Sequence, residues 1–251
     1  QRLIGYQQAF DLTLSGRIVG AEALIRWQHP QKGFLMPGQF LPFVEQLGLS
    51  RQLDFWVLHK AVQTISEWRQ QKLNVPLAVN MSPLHFQQEG LKQKIQYLLM
   101  HYKVSPELLE LEITENTAMH DMEKGSNYVM ELQQLGIRVS IDDFGTGYSS
   151  LAYLAKLPVD VLKLDRSLLI DLEDSPQSAS MVRHMIRMAH ELGMSVVAEG
   201  IESKGQVAML RDMQCDFIQG YVFSTPLPEA EFVAYLSSNA GLYQWEQLAN
   251  D

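Results

Sequence analysis

Short apolar runs rich in β-branched residues alternate along the chain with longer segments in which apolar residues recur every three or four positions. The short runs predict buried strands and the longer segments predict helices, because the two structures differ in side-chain period. Eight strands are predicted on this basis: Leu3–Leu12, Val19–Trp27, Leu77–Met81, Leu109–Ile113, Arg138–Asp142, Val161–Leu164, Ser195–Ala198 and Phe217–Phe223.

Helical periodicity occupies most of the intervals between these strands. The clearest helical segments are Leu53–Gln70, Leu91–Tyr102, Met122–Leu135 and Ala179–Leu192. Gly136 and Gly193 follow two of them, where glycine commonly ends a helix. The last segment carries a stripe that is predicted to face the core, formed by Met181, Met185, Met188, Ala189 and Leu192.

The alternation of apolar strands with helices indicates a parallel sheet covered on both faces. Eight such strands predict an α/β fold of the (β/α)8 TIM-barrel type. Only a few residues around Ser15 and Gly16 separate the first two strands, and a parallel crossover needs more. We therefore expect a hairpin at this point, so that one strand of the barrel runs antiparallel to the others.

The length of the chain fits one barrel domain spanning residues 1–251, which we expect to be the C-terminal part of a longer protein. No apolar run is long enough to span a membrane, so we expect no membrane contact by this segment. The single cysteine, Cys215, cannot form an intrachain disulfide and fits a reducing compartment. The expected location is the cytoplasm, or the cytoplasmic part of a membrane-anchored protein.

The net charge of −9 argues against binding of a nucleic-acid polymer, which requires a basic surface. A small anionic ligand is compatible with this charge if metal cations lie between it and the carboxylates.

Polar residues stand at or near the ends of most predicted strands, where barrel enzymes carry their chemistry. A single one of them fits a structural ion pair, but a whole set on one rim indicates a functional site. The set consists of Glu22, Asn80, Glu112, Asp142, Asp143, Lys163, Glu199 and Gln219.

The chemistry of this set favours Mg²⁺ or Mn²⁺, because its candidate ligands are oxygen atoms without histidine or cysteine. Of the adjacent Asp142 and Asp143, one can bridge two ions while the other holds the second ion. Two ions about 4 Å apart form a known clamp for in-line phosphoryl displacement. Lys163 on the next strand can hold an attacking water or neutralise developing charge.

Seven ordered segments resemble the motifs of the EAL-domain cyclic di-GMP phosphodiesterases and cover nearly the whole chain. They are Glu22-Ala23-Leu24 with Arg26-Trp27, Asn80-Met81-Ser82, Glu112-Ile113-Thr114-Glu115, Asp142-Asp143-Phe144-Gly145-Thr146-Gly147, Lys163-Leu164-Asp165, Glu199-Gly200-Ile201-Glu202 and Gln219-Gly220-Tyr221. The resemblance implies a barrel with one antiparallel strand and hydrolysis of cyclic di-GMP to linear 5′-pGpG. It also implies two Mg²⁺ or Mn²⁺ ions. We expect inhibition by Ca²⁺, because this larger ion accepts irregular coordination that does not suit in-line attack.

The resemblance also implies a role for each matching residue. The first ion would be held by Glu22, Asn80, Glu112 and Asp142, and the second by Asp142, Asp143 and Glu199. Lys163 and Glu199 would orient and deprotonate the attacking water.

Substrate contacts and regulation follow from the same resemblance. Arg26 would contact a phosphate, and the remaining contacts would come from Gln7, Leu24, Asp165, Gln219 and Tyr221. Glu115 would anchor the loop after the aspartate pair, which leads to a helix used for dimer contact. We therefore expect a homodimer, with room for an upstream sensory or GGDEF-type domain in the full-length protein.

Two other functions compete with catalysis on cyclic di-GMP. One is a module that binds the same ligand without cleaving it, and the complete set of ligand positions argues against it. The other is a Mg²⁺-dependent barrel enzyme with a different phosphorylated substrate, such as an enolising lyase. That class gives no reason for Asn80 together with the adjacent Asp142 and Asp143.

Overall fold

The structure is a computed structural model that describes residues 2–11, 17–86, 90–115, 117, 122–146 and 154–237, with the backbone alone for residues 2–11, 84, 85, 122 and 123. Its strands are β1 (Arg2–Asp11), β2 (Ile18–His29), β3 (Gly33–Leu35), β4 (Leu77–Asn80), β5 (Leu109–Thr114), β6 (Arg138–Phe144), β7 (Val161–Leu164), β8 (Ser195–Ala198), β9 (Phe217–Gln219) and β10 (Leu227–Pro228). The positions of the strands therefore agree closely with the predicted apolar runs, apart from the short β3 and β10, which the pattern did not predict.

The helices lie between and beyond these strands. They are α1 (Pro37–Gln46), α2 (Ser50–Gln70), α3 (Pro83–Phe86), α4 (Leu91–Tyr102), α5 (Met122–Gln133), α6 (Arg166–Leu169), α7 (Pro176–Glu191), α8 (Lys204–Asp212) and α9 (Glu229–Ser237), with a 3₁₀ turn at Pro106–Leu108. Gly136 and Gly193 adopt left-handed conformations after α5 and α7, as predicted. Within the described part of the chain, no helix is both long and apolar enough to cross a membrane.

The strands close into a barrel. Parallel pairing runs from β2 through β4, β5, β6, β7 and β8 to β9. The first strand, β1, pairs antiparallel with both β2 and β9 and so closes a ring of eight. The predicted TIM-type barrel with one antiparallel strand is confirmed, and outside the ring of eight β3 pairs antiparallel with β2 and β10 with β1.

Successive side chains along each strand point alternately to the apolar core outside the barrel and to the barrel interior. On β5, Leu109, Leu111 and Ile113 are fully buried among apolar side chains. The intervening Glu110 and Glu112 instead line a small cavity of about 80 Å³ inside the barrel. This period of two explains how an apolar strand delivers a polar side chain to the inner rim.

The last predicted strand ends earlier than expected, at Gln219 rather than Phe223. The chain turns there because Gly220 lies directly against the backbone of Ile201. A Cβ at Gly220 would lie 2.1 Å from the Ile201 carbonyl oxygen. Ile201 N also donates to Gln219 O (3.1 Å) and Ile201 O accepts from Val222 N (3.0 Å), so the turn is fixed on the loop after β8.

The predicted core-facing stripe of α7 is correct only in part. Ala189 is buried, and Met185 and Met188 are partly buried against the core, as predicted. Met181 and Leu192 are instead 42% and 38% exposed, and Val182 and Ile186, which were not predicted, are buried. The methionines of α7 make the predicted stripe as apolar in sequence as the adjacent face that is actually buried. The packing of α7 on β8, and not periodicity alone, selects the face that is buried.

Candidate active site

The ammonium of Lys163 lies at the centre of the carboxylates that the strands bring together. Lys163 Nζ is 2.5 Å from Glu112 Oε1, 2.8 Å from Glu199 Oε1, 3.4 Å from Asp142 Oδ1 and 3.6 Å from Glu22 Oε2. The residue is only 2% exposed. Side chains from five strands, β2, β5, β6, β7 and the end of β8, thus meet at one point, as their polar ends predicted.

Two amides complete this arrangement. Asn80 Nδ2 donates to Glu22 Oε1 (2.8 Å) and Glu112 Oε2 (3.0 Å), and Gln219 Nε2 donates to Glu22 Oε2 (2.6 Å). Both oxygens of Glu22 therefore accept hydrogen bonds from strands on opposite sides of β2. These donors offset part of the repulsion among the buried carboxylates.

The pKa values of the buried carboxyl groups show that Lys163 and the amides stabilise the charge of Glu22 more than that of Glu112 or Glu199. Burial raises the pKa of Glu22, but Lys163, Gln219 and Asn80 outweigh it, so this pKa lies below its ordinary value. Burial and the Glu22 charge hold the pKa of Glu112 well above its usual range despite Lys163. Burial, opposed by Lys163 and reinforced by nearby carboxylates, raises the pKa of Glu199 to about 8.

The aspartate pair lies on a bulge at the end of β6. Consecutive strand residues normally point to opposite faces, but the β6–β7 register shifts between Ile141 and Phe144. Asp143 takes a left-handed conformation, φ 55°, and its N–H donates to Asp142 Oδ1 (2.9 Å). Both side chains consequently line the same cavity. Burial, followed by the charge of Asp142, raises the pKa of Asp143.

The cavity above these residues has a volume of about 610 Å³, a size typical of ligand sites. One wall is apolar and comes from α1 and α2, through Pro37, Leu41, Val44, Leu53 and Val57. The opposite side is polar and carries the strand ends. Lys163 and Glu112 line the small interior cavity beneath it, whereas Glu22 and Gln219 line both.

The substrate-contact residues predicted from sequence lie in different places. Leu24, Asp165, Gln219 and Tyr221 line the larger cavity, and Tyr221 is 54% exposed at its rim. Arg26 does not line it: the side chain is buried, and Nη1 donates to Ile25 O (2.9 Å).

Two further predictions depend on residues outside the described part of the chain. The side chain of Gln7 is one of these, although its backbone pairs with Glu22. Glu115 is buried at the end of β5, but most of its predicted loop partners lie in residues 147–153, which are also outside.

Several residues of the site were not predicted from sequence. Arg166 and Glu202 form an ion pair of 3.0 Å at the cavity rim, and the Arg166 side chain passes across Gly200, where a Cβ would lie 2.6 Å from Arg166 Cβ. Asp54 and Ser82 also line the cavity and are hydrogen-bonded to each other. Asp54 gives no sequence signal, because an acidic residue on a helix normally faces solvent.

The donor set fits divalent metal in its chemistry but not in its present geometry. Among the described residues, no three acidic, histidine or cysteine side chains form a metal-binding group, because the carboxylates close on Lys163. Four carboxylates nevertheless surround one ammonium, Asp143 lies beside them on the same cavity, and all candidate ligand atoms are oxygens. Asn80 presents its nitrogen to the carboxylates, so a cation would require the amide to turn its oxygen inward.

Known proteins are similar to this chain in both sequence and fold. The family model described as "EAL domain" matches residues 1–226. MucR of Pseudomonas aeruginosa, a bifunctional diguanylate cyclase/cyclic di-GMP phosphodiesterase, is 37% identical over 93% of this chain and 34% of its own length. NbdA of the same organism, a cyclic di-GMP phosphodiesterase, is 39% identical over 92% of this chain and 30% of its own length.

A solved structure of the MucR phosphodiesterase in complex with c-di-GMP superposes with a TM-score of 0.87 at 37% identity, covering 92% of this chain and 94% of that one. The EAL enzyme Bd1971 in its cAMP- and cyclic-di-GMP-bound form gives a TM-score of 0.88 at 29% identity, covering 94% of this chain and 64% of that one. The chain spans about a third of the length of the curated relatives it matches. By family model, sequence identity and fold, the chain belongs to the EAL domain family.

Proposed function

We propose that this domain hydrolyses cyclic di-GMP to linear 5′-pGpG with two divalent metal ions, Mg²⁺ or Mn²⁺. The observation that carries the proposal is the convergence of Glu22, Glu112, Asp142 and Glu199 on Lys163 at the rim of a barrel of the EAL family. Relatives named as cyclic di-GMP phosphodiesterases, and a c-di-GMP complex of one of them, support the choice of substrate.

The cavity suits a cyclic dinucleotide in shape and polarity. The apolar wall from α1 and α2 offers a surface for a guanine base, and Tyr221 at the rim offers a ring for stacking. The phosphates would lie toward the strand ends. Because that side is acidic, a bound phosphodiester requires compensating cations there.

The oxygen ligands divide between two ions in the proposal. Glu22, Asn80, Glu112 and Asp142 would hold the first, and Asp142, Asp143 and Glu199 the second. When bound, such a pair neutralises phosphate charge and steadies the attacking and leaving oxygens. The bulge that turns Asp142 and Asp143 toward one cavity supports this division.

Glu199 and Lys163 carry the proton chemistry. Glu199 lines the open cavity beside Lys163 (2.8 Å), where its carboxylate could accept a proton from an attacking water, and burial makes it more basic than an ordinary carboxylate by raising its pKa to about 8. Lys163 keeps its charge, because the surrounding carboxylates, chiefly Glu112 and Glu199, raise its pKa against the effect of burial. It thereby fixes the orientation of Glu199 and limits repulsion when the anionic substrate binds.

Incubation of the purified protein with cyclic di-GMP, followed by chromatography of the products, tests the proposal. We expect linear 5′-pGpG with Mg²⁺ or Mn²⁺, and binding without cleavage in Ca²⁺, which accepts looser coordination than in-line attack requires. Uncleaved but bound ligand in all three metals would instead identify a binding module. Cleavage that survives exhaustive chelation would exclude the two-metal mechanism.

We further propose that the domain acts as a homodimer within a longer protein that contains a sensory or GGDEF-type domain. The cyclase activity combined with the phosphodiesterase in the name of MucR, of which this chain covers 34%, supports the additional domain. Analytical ultracentrifugation with and without cyclic di-GMP measures the dimer, and a monomer at all concentrations would contradict it.

A further inference from the structure

A carboxylate that has no part in the proposed mechanism joins the apolar wall of the cavity to the strand that carries Asn80. Asp54 Oδ2, on α2, accepts a hydrogen bond from Ser82 N (3.1 Å) and another from Ser82 Oγ. Ser82 stands two residues after Asn80. Asp54, Ser82 and Asn80 all line the 610 Å³ cavity.

The segment from Asn80 to Ser82 is held at two points after it leaves the sheet. Met81 N donates to Glu112 O (2.9 Å), which fixes the segment to β5. Asp54 fixes the next residue to α2, and α3 begins immediately afterwards. The amide of Asn80 must reach both Glu22 and Glu112, so a shift of this segment would move it away from one of them.

Ionised Asp54 lowers the stability of the folded protein. Burial raises its pKa although both hydrogen bonds from Ser82 act in the opposite direction. An acid whose pKa is raised by folding destabilises the folded protein at pH values above its unfolded pKa, which includes neutral pH. Asp54 therefore carries a charge on the wall of the cavity that its hydrogen bonds from Ser82 stabilise only in part.

We propose that Asp54 is a positioning residue for the metal site, which acts through Ser82 to hold Asn80 between Glu22 and Glu112. The inference rests on the proposed function for the identity of what Asn80 binds. Partners that orient a metal ligand typically contribute about ten- to a hundredfold to metal affinity. Leu53 and Val57 flank Asp54 on the apolar wall, so the same helix would also contact a ligand bound in the cavity.

Four variants (Asp54→Ala, Asp54→Asn, Ser82→Ala and a double variant) and one control test this inference. Asp54→Ala removes the acceptor, Ser82→Ala removes one of its two donors, and the double variant removes both sides of the interaction. Glu67→Gln is the matched control, because Glu67 lies on the same helix, accepts a hydrogen bond from Gln63 (2.7 Å) and does not line the cavity. Mn²⁺ affinity is measured by calorimetry without substrate, and each variant is melted thermally.

We expect Asp54→Ala to weaken Mn²⁺ binding by about tenfold or more, and Ser82→Ala by a smaller factor. The double variant should bind no more weakly than Asp54→Ala, because the two residues act through one interaction. Glu67→Gln should bind like the parent protein. Asp54→Asn, which preserves shape and one acceptor oxygen, should recover part of the affinity, and all melting temperatures should stay within a few degrees of the parent.

Unchanged Mn²⁺ affinity in Asp54→Ala, or additive losses in the double variant, would overturn the positioning role. A loss of Mn²⁺ affinity that parallels the decrease in melting temperature across the variants would also overturn it. A parent protein that binds Mn²⁺ without cleaving cyclic di-GMP would contradict the proposed function, while the comparison of affinities would still decide the role of Asp54. A parent that binds no Mn²⁺ would overturn both.

Discussion

Lys163 shows how a single side chain can organise a site that is otherwise built from mutually repelling groups. Its ammonium contacts carboxylates from four other positions, and its removal would leave those charges buried without a cation. Losing one partner of a buried ion pair is costly for that reason. Glu199 belongs to the same group but lines the open cavity, whereas Lys163 lies beneath it, so Glu199 is the more accessible of the two to a substrate.

Glu199→Gln should lower turnover of cyclic di-GMP by about a hundredfold or more, because the amide has nearly the same shape but cannot accept the proton. Affinity for the substrate should change much less. Steady-state kinetics with Mg²⁺ measure the turnover, and calorimetric titration with substrate in Ca²⁺ measures the affinity. Near-normal turnover in this variant would show that another group is the base.

The end of β6 illustrates how an element places two neighbouring carboxylates on one side. A regular strand would direct Asp142 and Asp143 to opposite faces, whereas the bulge directs both into the cavity. The left-handed conformation of Asp143 is part of that geometry and is unfavourable for a residue with a Cβ. Strain of this kind is common where function requires a particular side-chain direction.

Asp143→Gly and Asp143→Ala separate the backbone effect from the chemical effect at this position. Both variants lose the carboxylate, so both should lose most of the turnover. Their stabilities should differ, with the glycine variant more stable by about 1 kcal/mol, because only glycine adopts this conformation without penalty. Denaturant unfolding of the two variants measures the difference, and equal stabilities would mean that the bulge relaxes on substitution.

The barrel and the residues at its rim follow from features that are local in sequence, but the contacts between distant elements do not. Strand positions, the antiparallel β1 and the convergence around Lys163 were all indicated by short runs and their polar ends. The link between Asp54 and Ser82 joins residues 28 positions apart and leaves no local trace. The buried direction of Arg26 and the face of α7 likewise depend on neighbouring packing, which periodicity does not specify.

Cys215 allows the opening of the whole barrel to be measured, because it is the only cysteine in the chain. It precedes β9, the strand that pairs with β1 to close the ring, and is 1% exposed. Its Sγ lies 3.6 Å from Val196 O and 3.3 Å from Phe217 O, and burial raises the pKa of the thiol to about 12. Attack on a disulfide reagent requires a thiolate that the reagent can reach. The folded barrel should therefore suppress the reaction, because it buries Cys215 and raises the pKa of its thiol.

We expect a thiol reagent at pH 8 to label the native protein at least about a thousandfold more slowly than the protein in denaturant, which corresponds to the lower end of domain stabilities. The rate should rise along the denaturant unfolding curve. It should fall further when cyclic di-GMP and Ca²⁺ are bound, because a ligand that binds only the folded state lowers the population of the open state. Rapid labelling in native buffer would show that β8 and β9 separate locally without unfolding of the barrel.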